Sequence, residues 1–248
     1  MKRSPILLLI FFLSFQVSCY SARFSFAVFG DKQGTDSIFK KIVSLVNNDT
    51  DIKFAVNTGD LTSNGSRSEY DAYWKLSGSC RVKIYDVIGN HDISFLSNGQ
   101  NVFKKRYGET YYYFDHDGAR FICLDNSRAK GMGRKQFNWL KGVLDTKLTK
   151  FVFIHKPLFD PTGTYPGHVM TPAAENKELE KLLVKYGVKY VFSGHIHGYG
   201  REERDGVIYV VTAGAGAPLY LPSFGGGFYH YVKVTIDGSK ITDEVVKL

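Results

Sequence analysis

The sequence contains little cysteine and almost no long apolar run. Three cysteines occur in 248 residues, which is too few for a disulfide-stapled domain or for the thiolate cluster of a structural zinc finger. Beyond one run near the N-terminus, no stretch is long and apolar enough to cross a bilayer. Internal repeats and linkers rich in proline or serine are also lacking. These absences exclude a disulfide scaffold and a multi-span membrane protein, and the length suits one domain.

The composition is that of a soluble globular protein with a moderate basic excess. Apolar residues make up 44% and charged residues 23%, while aromatic residues reach 15%, which favours strands and ring-lined pockets. Lysine and arginine number 32 against 24 aspartates and glutamates, a formal charge of +8. This excess suits an anionic substrate or an anionic surface. Basic residues cluster at 104–106 and 128–135, where a solvated face is the alternative explanation.

The N-terminus has the pattern of an export signal. Lys2 and Arg3 precede an apolar run at residues 6–15, which is the charged and apolar order of such a signal and is short for a membrane span. We expect residues 1–19 to direct export, so that the protein functions outside the cytoplasm, in the periplasm or beyond. A retained N-terminal membrane anchor is the alternative.

The three cysteines have separate expected roles. The segment Gln16-Val17-Ser18-Cys19 resembles a bacterial lipoprotein box, with glutamine where that pattern prefers leucine. Either Cys19 carries a lipid anchor, or cleavage falls a few residues later and the protein is soluble. Cys80 and Cys123 can pair in an oxidising compartment. Because Cys123 lies within a strand-like apolar run, a buried core thiol is the better expectation for it.

Strand-like and helix-like segments alternate after the signal, in the βαβαβ order of a parallel sheet. The expected strands are residues 24–29, 52–56, 82–88, 111–114, 119–124, 151–154, 189–192, 207–211, 229–234 and 241–246. The expected helices are residues 37–46, 68–76, 135–144 and 175–186. Asp117-Gly118 indicates a hairpin turn. The sequence therefore predicts a single α/β domain over residues 23–248, with two sheets and mostly parallel central strands.

Five of the strand-like runs lead into side chains that can bind metal. They are Asp31, Asp60, Asn90-His91-Asp92, His155 and His195-Ile196-His197. The carboxyl ends of strands in a largely parallel sheet lie on one edge, which is where open α/β sheets bind ligands. A glycine shortly precedes four of the five groups, which allows a sharp turn and a close backbone approach. In an extended segment, His195 and His197 would face the same side.

The residue types indicate the class of metal. A mixture of carboxylate, amide and imidazole suits divalent ions such as Mn, Fe or Zn. Each element alone has an ordinary explanation: Asp60 can cap a helix, Asn90-His91-Asp92 can form a turn, and a His-x-His pair can be a chance surface feature. Caps and turns do not explain all five placements together, so a metal site is the better interpretation.

These groups, in this order, resemble the motif set of the calcineurin-like metallophosphoesterases over about residues 24–199. The resemblance implies a two-sheet αββα sandwich and two divalent metal ions. It implies that Asp60 bridges both ions. The other implied ligands are Asp31 and His197 for the first ion, and Asn90, His155 and His195 for the second. His91 would contact the phosphate and protonate the leaving oxygen, and Asp92 is grouped with it as a candidate catalytic residue.

Two positions depart from the family pattern. The first motif is usually Asp-x-His, but here it is Asp31-Lys32-Gln33. Gln33 either ligates through its amide oxygen, which is a weaker donor than imidazole to a transition metal, or leaves its place to water. Relatives often carry an acidic residue shortly after the second aspartate to orient the catalytic histidine. The stretch Leu61-Thr62-Ser63-Asn64 lacks one, so support for His91 must come from elsewhere.

The resemblance implies a hydrolase of phosphate esters that acts on a phosphorylated small molecule. Monoester and diester substrates both remain open. Expected pocket walls are residues 94–113, 157–172 with Tyr165 and His168, and 219–228, and their aromatic rings can either stack a nucleotide base or simply pack. His168 can touch substrate, although a loop histidine is usually just solvated. No nucleic-acid-binding motif is present.

Two other classes of protein compete with this interpretation. A metallo-β-lactamase-type enzyme would need a His-x-His-x-Asp-His run, which is absent. A non-catalytic metal- or ligand-binding surface protein on the same fold is the alternative, since Gln33 weakens one ligand. The presence of His91 favours the enzyme, because a pure binding site has no evident need for a general acid.

Overall fold

The structure, a computed structural model, describes residues 23–93 and 98–248. The expected signal, Cys19 included, lies outside the described residues. Within the described part, no helix has the length and apolar character that crossing a membrane requires. The strands are β1 Phe24–Phe29, β2 Ile52–Asn57, β3 Lys83–Asp86, β4 Tyr112–His116, β5 Ala119–Cys123, β6 Thr149–Phe153, β7 Tyr190–Ser193, β8 Tyr199–Arg204, β9 Val207–Thr212, β10 His230–Asp237 and β11 Lys240–Lys247. The α-helices are α1 Asp36–Asn48, α2 Arg67–Ser77, α3 Gly99–Tyr107, α4 Gly133–Leu144 and α5 Ala173–Lys185.

The strands form two mixed sheets. One has the order β11-β10-β1-β2-β3, and the other has the order β4-β5-β6-β7-β9-β8. Strands β1 to β3 are parallel to one another, as are β5, β6, β7 and β9. Antiparallel pairing joins β10 to both β1 and β11 in the first sheet, and joins the outer strands β4 and β8 to their neighbours in the second. The predicted two-sheet α/β fold with mostly parallel central strands is therefore confirmed.

The main core lies between the two sheets, and strand β1 shows why. Every residue of β1 is buried, as expected for a strand that is covered on both faces. Phe26 points into the space between the sheets, where its ring meets the rings of Phe121 and Phe151 at 5.2 and 5.3 Å between centroids. Phe29 points the other way and packs on Phe39 of α1. Helices α4 and α5 cover the outer face of the second sheet, which completes the αββα layers.

Two segments differ from the sequence prediction. Strand β8 was not expected, because its residues are mostly polar or charged and it lies at a sheet edge, where one side faces solvent. Residues 94–113 were expected to be a loop, but they contain α3, which Phe103 anchors in the core. The hairpin at Asp117-Gly118 is confirmed, with φ of 40° and 77° at its two turn residues, as a type I′ turn requires.

The two described cysteines are not paired. Cys80 and Cys123 are both free thiols. Burial raises the pKa of Cys123 to about 12, so this thiol stays protonated and unreactive at neutral pH. The expectation of a core thiol at Cys123 is confirmed.

Candidate metal centre

The predicted metal ligands converge at one end of the sandwich, but they come from both sheets. Asp31, Asp60 and Asn90 follow β1, β2 and β3 of the first sheet, whereas His155 and His195 follow β6 and β7 of the second. The expectation that all five strand ends lie on the edge of one sheet is therefore wrong. The side chains still converge, because the parallel strands of the two stacked sheets end at the same end of the sandwich.

Two groups of possible ligands share one aspartate. Asp60, His155 and His195 form one group, and Asp31, Asp60 and His197 form the other, with the ligand atoms of each group within 4.8 Å of one another. Asp60 Oδ2 lies 3.3 Å from His155 Nε2, and Asp31 Oδ1 lies 3.4 Å from His197 Nε2. Both carboxylates are almost completely buried. Each group can hold one metal ion, with Asp60 positioned between the two.

The protonation of two histidines fits a metal centre. His155 Nδ1 lies 3.0 Å from the carbonyl oxygen of Thr58, and His197 Nδ1 lies 2.8 Å from that of Pro218. Because a carbonyl oxygen only accepts, each Nδ1 carries the proton in the neutral ring. The Nε2 lone pairs then point toward the carboxylates. A backbone carbonyl that fixes the tautomer in this way is the usual support of a metal-binding histidine.

The charges in the cluster also call for a cation. Burial alone would raise the pKa of Asp60, but the charge and hydrogen bonding of His155, together with those of His91, lower the pKa on balance. Burial would lower the pKa of His155, but the Asp60 carboxylate raises it to about 9. The pKa of His195 falls to about 2 through burial and the repulsion of His155. Two buried carboxylates thus need positive charge beside them, and a divalent ion supplies it while leaving the imidazoles neutral.

Both predicted amide ligands lie in the cluster. Asn90 Oδ1 is 2.9 Å from His155 Nε2, so its amide oxygen points into the group that contains His155. Gln33 is buried, with Nε2 3.4 Å from Asp60 Oδ2 and 3.2 Å from His197 Nε2. Amide nitrogen and oxygen are assigned from their hydrogen bonds, and rotating the group by half a turn would direct Oε1 toward the same place. The Gln33 amide therefore lies between Asp60 and His197, two members of the group that contains Asp31.

His91 lies at the exposed surface beside Asp60 rather than inside the cluster. Its backbone N–H donates to Asp60 Oδ1 at 2.9 Å, and its ring Nδ1 donates to the carbonyl oxygen of Ser63 at 2.8 Å. The stretch after Asp60, which lacks the acidic residue common in relatives, supports the ring through a backbone carbonyl instead. Nε2 has no partner among the described residues.

Asp92 has a different environment from His91. Its carboxylate is completely buried and accepts hydrogen bonds from the backbone of Leu61, Thr62 and Gly89 at 2.8–3.2 Å, and from the Thr62 hydroxyl at 2.8 Å. Burial, with the repulsion of Asp60, raises its pKa to about 7. Asp92 joins the loop after β2 to the loop after β3. These contacts make it a residue that positions the two loops.

The backbone is strained where the ligands enter. Asp31, Asp60 and His195 have φ of 61°, 55° and 70°, in the left-handed region that non-glycine residues seldom occupy and that is often found at functional sites. The expectation of an extended segment at His195 is therefore wrong, and a bend directs its ring. The glycine of one motif also makes room for the ligand of another: a Cβ on Gly194 would lie 2.3 Å from Asp31 Oδ2.

The predicted loops 157–172 and 219–228 form an aromatic wall beside the cluster. The ring of Tyr220 stacks on that of His197 with centroids 4.0 Å apart. The His168 ring lies 5.5 Å from the His195 ring, and the Tyr165 hydroxyl donates to the carbonyl oxygen of Tyr220 at 3.0 Å. The rings of this wall therefore contact the rings of two candidate ligands, His195 and His197.

Sequence reasoning missed Asn126. Its Oδ1 accepts the backbone N–H groups of His155 at 2.9 Å and of Lys156 at 3.1 Å, which fixes the strand end that presents His155. Asn126 follows β5, a strand parallel to β6. The rule that polar residues after parallel strands converge would have found it if it had been applied to this strand as well.

The fold and the two ligand groups define a two-sheet α/β protein of the metallophosphoesterase type. The chain belongs to the calcineurin-like phosphoesterase family, whose model matches residues 24–199. Purple acid phosphatase 23 of Arabidopsis thaliana is 28% identical over 196 residues, which are 69% of this chain and 41% of that protein. The serine/threonine-protein phosphatase CPPED1 of Mus musculus is 30% identical over 155 residues, 56% of this chain and 49% of that protein. The chain thus spans less than half the length of these curated relatives.

Solved structures share the fold at low sequence identity. A purple acid phosphatase from yellow lupin seeds has a TM-score of 0.74 at 20% identity, over 92% of this chain and 52% of that one. A dimetal phosphatase from Danio rerio has a TM-score of 0.72 at 14% identity, over 90% and 96%. GAP50, the anchor in the inner membrane complex of Plasmodium, has a TM-score of 0.70 at 16% identity, over 91% and 84%.

Proposed function

We propose that this chain is a metal-dependent hydrolase of phosphate esters. The observation that carries the proposal is the pair of ligand groups that share Asp60. Named phosphatases among its relatives support the same class. In the proposal, Asp60 would help to hold both of two divalent ions. Asp31, Gln33 and His197 would hold the first ion, and Asn90, His155 and His195 would hold the second. Mn, Fe and Zn are the ions that this donor set suits best.

When bound, two such ions supply Lewis acidity that activates a water for attack on phosphorus and neutralises charge on the phosphoryl oxygens. The chain's own contribution is the geometry. Asp92 holds the loops that carry Asp60 and His91 at a fixed separation. The doubly protonated ring of His91 donates the Nε2 proton to the leaving oxygen and becomes the neutral ring whose remaining proton, on Nδ1, bonds to Ser63. The ring lies at the surface beside Asp60, where a leaving group can reach it. In this mechanism His91 is the general acid.

Turnover of p-nitrophenyl phosphate and bis-p-nitrophenyl phosphate with added Mn²⁺, and after chelation, tests the proposal. Metal-dependent release of p-nitrophenol supports it, and the preferred reporter separates a monoesterase from a diesterase. If the chain binds metal but cleaves neither ester nor other phosphorylated small molecules, the alternative is favoured: a non-catalytic metal- or ligand-binding protein on this fold.

A further inference from the structure

A basic cleft of about 450 Å³ lies between α3 and the segment that joins β5 to α4. One wall contains Asp125, which directly precedes Asn126, and Arg128, two residues after it. The Asn126 side chain binds the backbone of His155. The other wall contains Gln100, the neighbour of Gly99. Gly99 packs so closely on Asp92 that a Cβ there would lie 2.2 Å from the Asp92 carbonyl oxygen. Both walls are therefore continuous with the loops that build the metal centre.

The cleft brings together the two basic clusters that the sequence keeps apart. Its lining cations are Lys104 from the first cluster and Arg128, Lys130 and Lys135 from the second. The acidic residues of the lining are Glu109, which lies 3.5 Å from Lys104, and Asp125. Four positive charges therefore face two negative ones.

Most of this positive charge is not neutralised locally. Arg128 is hydrogen-bonded to the neutral amide oxygen of Gln100. Asp125 directs Oδ1 to the backbone N–H and hydroxyl of Ser127, at 3.1 and 2.6 Å. Among the described residues, no carboxylate lies within 4.0 Å of a charged nitrogen of Arg128, Lys130 or Lys135. Glu175, behind this wall, directs Oε2 to the backbone N–H groups of Met132 and Gly133 instead.

We propose that this cleft is an anion subsite for a second phosphate group of the substrate, and that the substrate class is small molecules with two or more phosphates. The proposal rests on the proposed function, which places the first phosphate at the metal centre. A guanidinium and three ammonium groups in one open cleft complement the negative charge of phosphate. Binding a remote phosphate here would hold the scissile phosphate at the metal centre, where that binding energy increases kcat/KM.

The test compares two substrates and two charge-matched double variants. Arg128→Gln with Lys135→Gln removes two charges from the cleft. Arg134→Gln with Lys141→Gln removes two charges from the exposed pairs with Glu178, outside the cleft. Release of inorganic phosphate is measured for fructose 1,6-bisphosphate, and release of p-nitrophenol for p-nitrophenyl phosphate. The cleft variant should lose roughly tenfold or more in kcat/KM for the bisphosphate, but stay within about twofold for the monophosphate. The control variant should stay within about twofold for both substrates.

Equal losses on both substrates in the cleft variant, or no loss on either, would overturn the subsite. If the wild-type chain hydrolyses neither substrate, the proposed function is judged separately by its hydrolysis of bis-p-nitrophenyl phosphate. The subsite is then decided by calorimetric titration of inorganic tripolyphosphate into the metal-loaded wild-type and cleft-variant proteins. Binding weakened by roughly tenfold in the variant supports it, and equal binding overturns it.

Discussion

The ring of His91 is held by the backbone carbonyl of Ser63, whose oxygen lies 2.8 Å from His91 Nδ1. The neutral carbonyl fixes the tautomer and the orientation of the ring, so that Nε2 is directed away from this contact. Replacing the ring should therefore affect the proton transfer and not the ligands. We expect His91→Ala to retain its metal and to lose about 10²- to 10⁴-fold in kcat, the usual contribution of a general acid.

The loss in His91→Ala should depend on the leaving group. p-Nitrophenolate is a weak base and leaves readily without being protonated. Phenolate is a stronger base and depends more on protonation by the general acid, so the loss in kcat should be larger for phenyl phosphate than for p-nitrophenyl phosphate. The two rates and the metal content of the variant are measured on the same preparation. Metal loss as complete as in an Asp60 variant would contradict the role of His91.

Gly194 should be essential for the position of Asp31. A methyl group at residue 194 would lie 2.3 Å from Asp31 Oδ2, and the carboxylate, at the free end of its side chain, must move to make room. We expect Gly194→Ala to fold but to lose the ion held by Asp31 and His197. Gly142→Ala is the matched control, because nothing lies within 4 Å of its added methyl group. Metal analysis and thermal unfolding measure both effects, and normal metal content in Gly194→Ala would refute this role.

Gln33 should set the affinity of the ion in the Asp31 group. Its amide lies within 3.4 Å of Asp60 Oδ2 and His197 Nε2, but an amide is a weaker donor than an imidazole. We expect Gln33→Ala to reduce the affinity for this ion by about tenfold or more, and Gln33→His to increase that affinity. Competition with a chelator of known affinity measures the change. Equal affinities in all three proteins would show that residue 33 takes no part in binding.

His230 should make folding stability sensitive to acid. The ring is buried and neutral, with Nδ1 donating to the Phe228 carbonyl and Nε2 beside the Thr212 hydroxyl. Burial lowers its pKa from 6.5 to about 4. The unfolded chain therefore takes up a proton first as the pH falls, so this stabilisation is lost as the pH drops from 6.5 toward 4.

The His230→Gln variant isolates that contribution. Between pH 7.5 and 4.5, the free energy of unfolding of the wild-type protein should fall by about 2 to 3 kcal/mol more than that of the variant. Urea titrations with chelator present in every sample measure the difference without a contribution from bound metal. Parallel pH profiles would show that His230 does not titrate in this window.

The sequence predicts that the candidate ligands lie close together because parallel strands of one sheet end on the same edge. Asp31 and Asp60 follow neighbouring parallel strands of one sheet, whereas His155 follows a strand of the other sheet and meets them because the two sheets are stacked. The pattern does not reveal which sheet each strand joins, since pairing depends on tertiary packing. The exposed edge strand β8 has no apolar alternation that would identify it. The contacts of Asp92 depend on how two loops fold against each other, which no local pattern encodes.

The most direct measurement is the number of metal ions bound per chain in the wild-type protein and in Asp60→Asn. Because Asp60 belongs to both ligand groups, replacing its carboxylate by a neutral amide should weaken the binding of both ions at once. Elemental analysis after loading with Mn²⁺ and desalting should give two ions per wild-type chain, and fewer than one in the variant, together with loss of phosphate ester hydrolysis. A wild-type chain that binds no metal, or an Asp60→Asn variant that retains both ions, would contradict the shared-aspartate site.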